Sequence, residues 1–95
     1  MIESVKGALR VTSNDPLIIE DINDLIESAR MDLIISGVSE EKAKNDNDPL
    51  IKRAIIIYAK ANYGLDNPNA DRFQDSYNML KQHLSLAGDY NGKLE

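Results

Sequence analysis

The chain has 95 residues, which is room for one domain with a single modest core. It contains no cysteine, which excludes disulfides, thiolate zinc sites and cysteine nucleophiles and fits a reducing, cytoplasmic setting. Eleven Lys and Arg against sixteen Asp and Glu give a net charge of −5, the wrong sign for a surface that binds duplex DNA. The longest apolar stretch, Ala54 to Ala59, is too short to span a membrane, and the first residues do not predict a secretion signal.

Three proline pairs divide the chain into helices. Each proline follows Asp or Asn, in Asp15-Pro16, Asp48-Pro49 and Asn67-Pro68. An Asp or Asn at the N-cap accepts hydrogen bonds from the first free amides of a helix. Proline suits the next position because its missing N–H has no helical partner there. The three pairs therefore predict three helix starts.

The first half of the chain predicts two helices. A short one runs from Ile2 to Leu9, with an apolar face at i, i+3 and i+7. A longer one runs from Pro16 to about Ser36, and Gly37 suits the residue after its end. The apolar stripe of the longer helix consists of Ile18, Ile22, Leu25, Ile26, Ala29 and Leu33. Ser39 is a candidate cap for a further short turn.

The segment from Pro49 to about Tyr63 is apolar around nearly its whole circumference. The run Ile55-Ile56-Ile57 alone is also typical of a buried strand. The proline start, the closing Gly64 and the lack of a second strand to pair with favour a helix. Such a helix is either central to its bundle or shared with another subunit, and both alternatives stay open.

The last predicted helix begins at Pro68 and ends near Gly88. Its apolar residues step by four and three, as in a bundle or coiled-coil seam: Phe73, Tyr77, Leu80, Leu84 and Ala87. Residues 89–95 are polar and are expected to form a flexible tail, in which Leu94-Glu95 resembles an expression-vector junction. We therefore expect an all-α, single-domain bundle of three to four helices over residues 1–88, with a short N-terminal helix.

No residue pattern supports catalysis. His83 is the sole histidine and has no partner at metal-ligand spacing, and no serine stands in a nucleophile-elbow pattern. The five glycines are isolated, so no phosphate-binding loop is present. We expect no enzyme activity, no catalytic or metal-binding residue and no cofactor.

Two acidic groups are candidates for metal binding, and both are better explained otherwise. Glu20, Asp24 and Glu27 share one side of a predicted helix, opposite its apolar stripe, which is typical of a solvated face. Residues 45–48 are similar to the start of a calcium loop. That loop needs glycine and glutamate where this chain has Ile51 and Ile57, so we interpret 45–48 as a polar loop.

Two sets of residues in the helix 49–63 are candidates for contact with partners. The apolar residues that a small core has no room for are expected at a subunit interface, and they are Ile56, Tyr58 and Tyr63. The densest basic spot, which suits an acidic partner or phosphate unless it serves only solubility, consists of Lys52, Arg53 and Lys60.

Three stretches carry a resemblance to a known family. They are residues 5–11 followed by Asn14-Asp15, residues 22–30, and the proline-started apolar stretch 48–59. Within residues 2–64, about two-thirds of the chain, this order of segments resembles the head–tail connector family of tailed phages and prophages. These are small α-helical head-completion proteins of DNA packaging and virion assembly.

The resemblance implies a structural virion protein. Connectors of this family form a ring of roughly a dozen copies, which requires head-to-tail contacts between two different surfaces. The ring docks beneath the portal protein and meets a tail-side completion protein, and DNA passes through it only as cargo. This implies assembly in the cytoplasm of the bacterial host, followed by a place at the head–tail junction of the virion, with no membrane contact.

The seam at residues 73–87 leaves an alternative open. It is also suited to pairing two chains in a symmetric bundle. That predicts a small helical regulatory or antitoxin-like interaction module that acts as a dimer.

Overall fold

The computed structural model describes residues 1–64 and 66–92, and this part of the chain is helical with no strand. The helices are α1 (Ile2–Leu9), α2 (Pro16–Ile35), α3 (Glu40–Ala43), α4 (Pro49–Asn62), α5 (Ala70–Leu86) and α6 (Gly88–Asn91). The prediction of an all-α fold with a short N-terminal helix is confirmed. The single-turn helices α3 and α6 lie between and after the four longer ones.

Helices α2 and α4 begin at the prolines that the sequence indicated. The Asp15 carboxylate accepts a hydrogen bond from the amide of Leu17 at 2.9 Å. The Asp48 carboxylate accepts two, from Leu50 at 2.9 Å and from Ile51 at 3.2 Å. Both prolines occupy the first helical turn, so these two predicted starts are confirmed.

The third predicted start is wrong. Helix α5 begins at Ala70, and its N-cap Asn69 makes no side-chain capping bond. Asn67 Oδ1 instead accepts from the amide of Asn69 at 3.2 Å, while its Nδ2 donates to the carbonyl of Lys60 at 2.6 Å. The Asn67 side chain therefore closes the loop against the open carboxyl end of α4, where carbonyls lack helical partners.

Helix α4 is the central element of the bundle and packs against α1, α2 and α5. The residues that it buries completely are Ile51, Ala54, Ile55 and Ala59. They meet the buried stripe of α2, which consists of Ile22, Ile26, Ala29 and Leu33. Of the two alternatives that the apolar sequence left open, α4 therefore occupies a central position in the bundle. One side of the helix still faces outward.

The seam of α5 is used inside the subunit. Tyr77 and Leu84 are buried, and the Tyr77 ring meets Tyr58 of α4 edge-on at a centroid distance of 5.1 Å. The Tyr77 hydroxyl donates to Asp32 Oδ2 of α2 at 2.6 Å, and Lys81 Nζ donates to the same oxygen at 3.0 Å. These contacts leave the centre of the seam no free surface for a second chain.

The end of the described chain differs from the expected tail. Residues 88–91 form α6, and the carbonyl of Tyr90 accepts a hydrogen bond from the amide of Ser39 at 2.7 Å. The Tyr90 hydroxyl donates to Asp48 at 3.1 Å, and the Lys42 ammonium lies 5.3 Å from the Tyr90 ring centre. The prediction of a flexible tail from residue 89 is therefore wrong for residues 89–91, which are helical and packed. Leu94-Glu95 lie outside the described residues.

Candidate assembly surface

The outward side of α4 forms one wall of a groove, and α5 forms the other. The helical repeat brings positions 52, 53, 56, 57 and 60 to this side, opposite the buried positions 51, 54, 55 and 59. The groove has a volume of about 450 Å³. It is lined by Pro49, Lys52, Arg53, Ile56, Ile57, Lys60, Phe73 and Ser76, and we name it the basic groove.

The basic groove combines positive charge with an apolar floor. Lys52, Arg53 and Lys60 form no ion pair with any residue of the described chain. The Lys60 ammonium lies 5.6 Å from the centre of the Phe73 ring, within reach of a cation–π contact. Because the cations are unpaired beside Ile56 and Ile57, the groove is suited to an acidic partner that also carries apolar side chains.

The three predicted interface residues do not lie on one surface. Ile56 is half-buried in the basic groove, together with all three predicted basic residues. Tyr58 lies on the other side of α4, where its ring packs against Tyr77. Tyr63 follows the end of α4 and lines a different depression. A helix turns by about 100° per residue, so the two-residue step from Ile56 to Tyr58 already indicates opposite sides.

The second depression carries the opposite charge. It has a volume of about 510 Å³, and we name it the acidic hollow. It is lined by Asp21, Asp24, Leu25, Asn62, Tyr63 and Gly64. Glu20, Asp21 and Asp24 are exposed and have no ion-pair partner within residues 1–64 and 66–92. Glu27, one turn further on, lies 3.8 Å from Arg30.

Several exposed apolar side chains were missed by the sequence analysis. On α2 they are Leu17, Met31 and Ile35, which are 71%, 56% and 77% exposed. They lie on the same side of α2 as Glu20 and Asp24. The sequence could have revealed them, because helical spacing puts them on the acidic side of α2 and away from its buried stripe. An apolar residue on that side does not reach the core.

A further exposed apolar pair lies on α5. Met79 and Leu86 are 67% and 74% exposed, seven residues apart and opposite the seam. With Gln82 and the exposed His83 they line a shallow depression of about 280 Å³. His83 has no acidic or metal-ligating neighbour there, so the depression offers apolar contact rather than chemistry.

Two tyrosines, Tyr77 and Tyr90, have raised pKa values, and both stabilise the fold. Burial, followed by the hydrogen bond to Asp32, raises the pKa of Tyr77 far above its ordinary value. Burial and the hydrogen bond to Asp48 raise the pKa of Tyr90 as well. Both hydroxyls are donors to carboxylates that tie helices together, which is a structural use of the protonated form.

The described residues contain neither a metal-binding cluster nor a membrane-spanning helix. No group of three or more His, Cys, Asp or Glu side chains is arranged to hold a metal ion in this part of the chain. None of the described helices has the length and hydropathy needed to cross a membrane.

Comparison with known proteins adds one positive finding. The model of a family described as phage connector protein matches residues 1–91. The match covers all six helices and includes both the basic groove and the acidic hollow. Neither the search of curated proteins nor that of solved structures gave a match.

Proposed function

Because this chain belongs to the phage connector protein family, we propose that it forms a ring beneath the portal at the head–tail junction of a tailed phage or prophage. The observation that carries the proposal is the family match over residues 1–91, nearly the whole chain. In this role the protein is structural and needs neither a catalytic residue nor a cofactor. Its partners are further copies of itself, the portal protein and a tail-side completion protein.

The surface of the subunit supports ring formation. A closed ring is made by heterologous contacts, in which one surface of each copy meets a different surface of the next. The chain has two different surfaces of opposite charge, the concave basic groove between α4 and α5 and the exposed acidic side of α2 that borders the acidic hollow. Two different surfaces are what head-to-tail contact requires.

The net charge suits a conduit for DNA. A strongly basic channel would bind the phosphates of passing DNA electrostatically and slow its movement. This subunit carries a net charge of −5, and its three unpaired cations of the basic groove lie together on one side. In this proposal DNA is cargo, and the basic groove belongs to the contact between subunits.

The competing proposal of a regulatory dimer is less well supported, because the surface that it requires is occupied within the subunit. It depended on the seam of α5, whose central residues Tyr77 and Leu84 are buried against the rest of the subunit. A dimer through this seam would have to open the contact between α4 and α5 first.

Light scattering after size exclusion, over a concentration series, tests the ring. From the resemblance to connector proteins we expect a closed ring of roughly a dozen subunits, either alone or after the cognate portal protein is added. A stable dimer that does not change with concentration or with added portal would contradict the proposal. A monomer that fails to bind the portal would contradict it as well.

A further inference from the structure

We propose, on the basis of the ring proposed above, that the acidic face of α2 in one subunit docks into the basic groove of the next. The acidic face consists of Leu17, Glu20, Asp21, Asp24 and Glu27. The occupant of the groove is thus a second copy of this chain. Glu20, Asp24 and Glu27 look like a merely solvated face in the sequence, and the subunit contact gives them a use.

Both surfaces carry charged side chains that have no ion-pair partner within residues 1–64 and 66–92. Lys52, Arg53 and Lys60 of the groove have no carboxylate partner among the described residues. Glu20, Asp21 and Asp24 likewise have no cation partner there. The subunit therefore presents three cations and three carboxylates that are left for an intermolecular contact. Complementary potentials of this kind steer association and fix the register of an interface.

The spacing of the charges matches across the two surfaces. Arg53 and Lys60 are seven residues apart on α4, as Glu20 and Glu27 are on α2. Two helical turns span about 10 Å, so both pairs repeat over the same distance along their helices. Asp24 lies about one turn from each glutamate, so it comes within about one turn of Arg53 whichever way the docked helix runs. A helix laid along the groove thus brings carboxylates to both of its charged ends.

Apolar side chains accompany the charges on both surfaces. Leu17 is 71% exposed and lies one turn before Glu20 and Asp21. The floor of the groove offers Ile56, Ile57 and Phe73. Removing apolar surface from water lowers the free energy by about 25 cal/mol per Å². In the register that pairs Glu20 with Lys60, Leu17 lies one turn beyond Lys60, at the end of the groove that holds Phe73.

The two surfaces are distinct, which makes the contact a propagating one. The groove lies between α4 and α5, and the acidic face belongs to α2. A subunit that uses its acidic face on one neighbour keeps its groove free for another. Such contacts continue until the chain of subunits closes on itself.

Cysteine cross-linking tests the contact directly, since the natural chain has no cysteine. Two full-length variants, Asp24→Cys and Arg53→Cys, replace exposed residues and are checked for native helix content by circular dichroism. Each is oxidised alone, both are mixed, and a chain with both substitutions is oxidised by itself. The matched control combines Asp24→Cys with Gln82→Cys, which is exposed on the outer side of α5.

We expect a mixed dimer from Asp24→Cys with Arg53→Cys, several-fold more abundant than from the control pair, and a ladder of oligomers from the doubly substituted chain. A double variant that stops at a dimer would retain the contact between acidic face and groove but contradict the ring. If the mixed pair gives no more product than the control, the inference is overturned. Wild-type chain that then still assembles by light scattering would leave the proposed function standing. A groove that instead retains a duplex DNA oligonucleotide, without the mixed cross-link, would also overturn the inference.

Discussion

The two sides of α4 differ in their surroundings, although the isoleucine run 55–57 crosses from one side to the other. Ile55 and Ile56 are adjacent and chemically identical, yet Ile55 is fully buried and Ile56 is half-buried in the basic groove. On the buried side, α4 meets α1 and α2 through aliphatic packing. On the other side, Ile56 lies among Lys52, Arg53 and Lys60. For these two isoleucines, position on the helix and not residue type decides whether the side chain stabilises the fold or is available to a partner.

Matched substitutions at Ile55 and Ile56 give the largest expected difference. Ile55→Ala leaves a cavity in the core and is expected to lower the free energy of unfolding by about 2–5 kcal/mol. Ile56→Ala removes partly exposed surface and is expected to cost about 1 kcal/mol or less. Urea unfolding followed by circular dichroism measures both. Equal losses at the two positions would contradict the division of α4 into two sides.

The same pair separates folding from assembly when aspartate is introduced. Ile55→Asp buries an unpaired charge and is expected to unfold the protein. Ile56→Asp places its carboxylate among the groove cations, so we expect a folded monomer that no longer forms the ring. Circular dichroism and light scattering read the two effects. A folded Ile55→Asp protein, or Ile56→Asp rings of wild-type size, would be the contrary result.

Substitution of Asp48 at the start of α4 is expected to have the next largest effect on stability, because this residue contacts both α4 and α6. Its carboxylate caps α4 and also accepts the Tyr90 hydroxyl. Asp48→Ala is expected to lower the free energy of unfolding by about 1–2 kcal/mol. Asp48→Asn keeps an acceptor oxygen at the cap and is expected to cost less. A loss in Asp48→Asn as large as in Asp48→Ala would show that charge rather than capping matters.

The starts of α4 and α5 show how far the sequence predicts the fold. Asp48-Pro49 and Asn67-Pro68 look alike in the sequence, and only the first starts a helix. The Asp48 cap depends on amides two and three residues away, so local pattern suffices to predict it. Asn67 is held by the carbonyl of Lys60, an acceptor whose position depends on where α4 ends. The wrong prediction therefore lies where a tertiary contact competes with a local one.

The candidate site was predictable to the same extent. The three basic residues and Ile56 share one helix, and helical spacing was enough to bring them together. The opposite wall of the groove comes from Phe73 and Ser76 on α5. Local sequence patterns do not predict the angle at which α5 packs against α4, so this wall was not predicted. The α6 contact of Tyr90 with Asp48 spans 42 residues and was missed for the same reason.

On the buried side, the contact of Tyr77 with Asp32 predicts a dependence of stability on pH. Burial and this hydrogen bond raise the pKa of Tyr77 in the folded protein, so the protonated hydroxyl is favoured by folding. This contribution is fully present below the unfolded pKa of about 10 and falls as pH rises above it. At pH 11 we expect the wild-type chain to lose about 1.4 kcal/mol relative to Tyr77→Phe, compared with pH 8.

Urea unfolding of both proteins at the two pH values measures this difference. Tyr77→Phe keeps the ring beside Tyr58 and changes no other side chain, so the comparison isolates the Tyr77 hydroxyl. A stability difference between the two proteins that stays constant from pH 8 to pH 11 would show that the Tyr77 hydroxyl ionises as readily in the folded chain as in the unfolded one.

On the outward side, removing charge is expected to have the smallest effect on folding and a selective effect on assembly. Arg53→Gln and Lys60→Gln have no ion pair to break among the described residues, so each should change the free energy of unfolding by less than about 0.5 kcal/mol. Each should weaken self-association by up to about fivefold, the effect of an exposed ion pair across an interface, and less at high salt. Lys44→Gln is the matched control, because Lys44 pairs with Glu40 on its own helix surface at 2.6 Å. Sedimentation at two salt concentrations compares the three variants. If Lys44→Gln weakens association as much as the groove variants do, the effect comes from net charge, and the outward side of α4 has no special part in assembly.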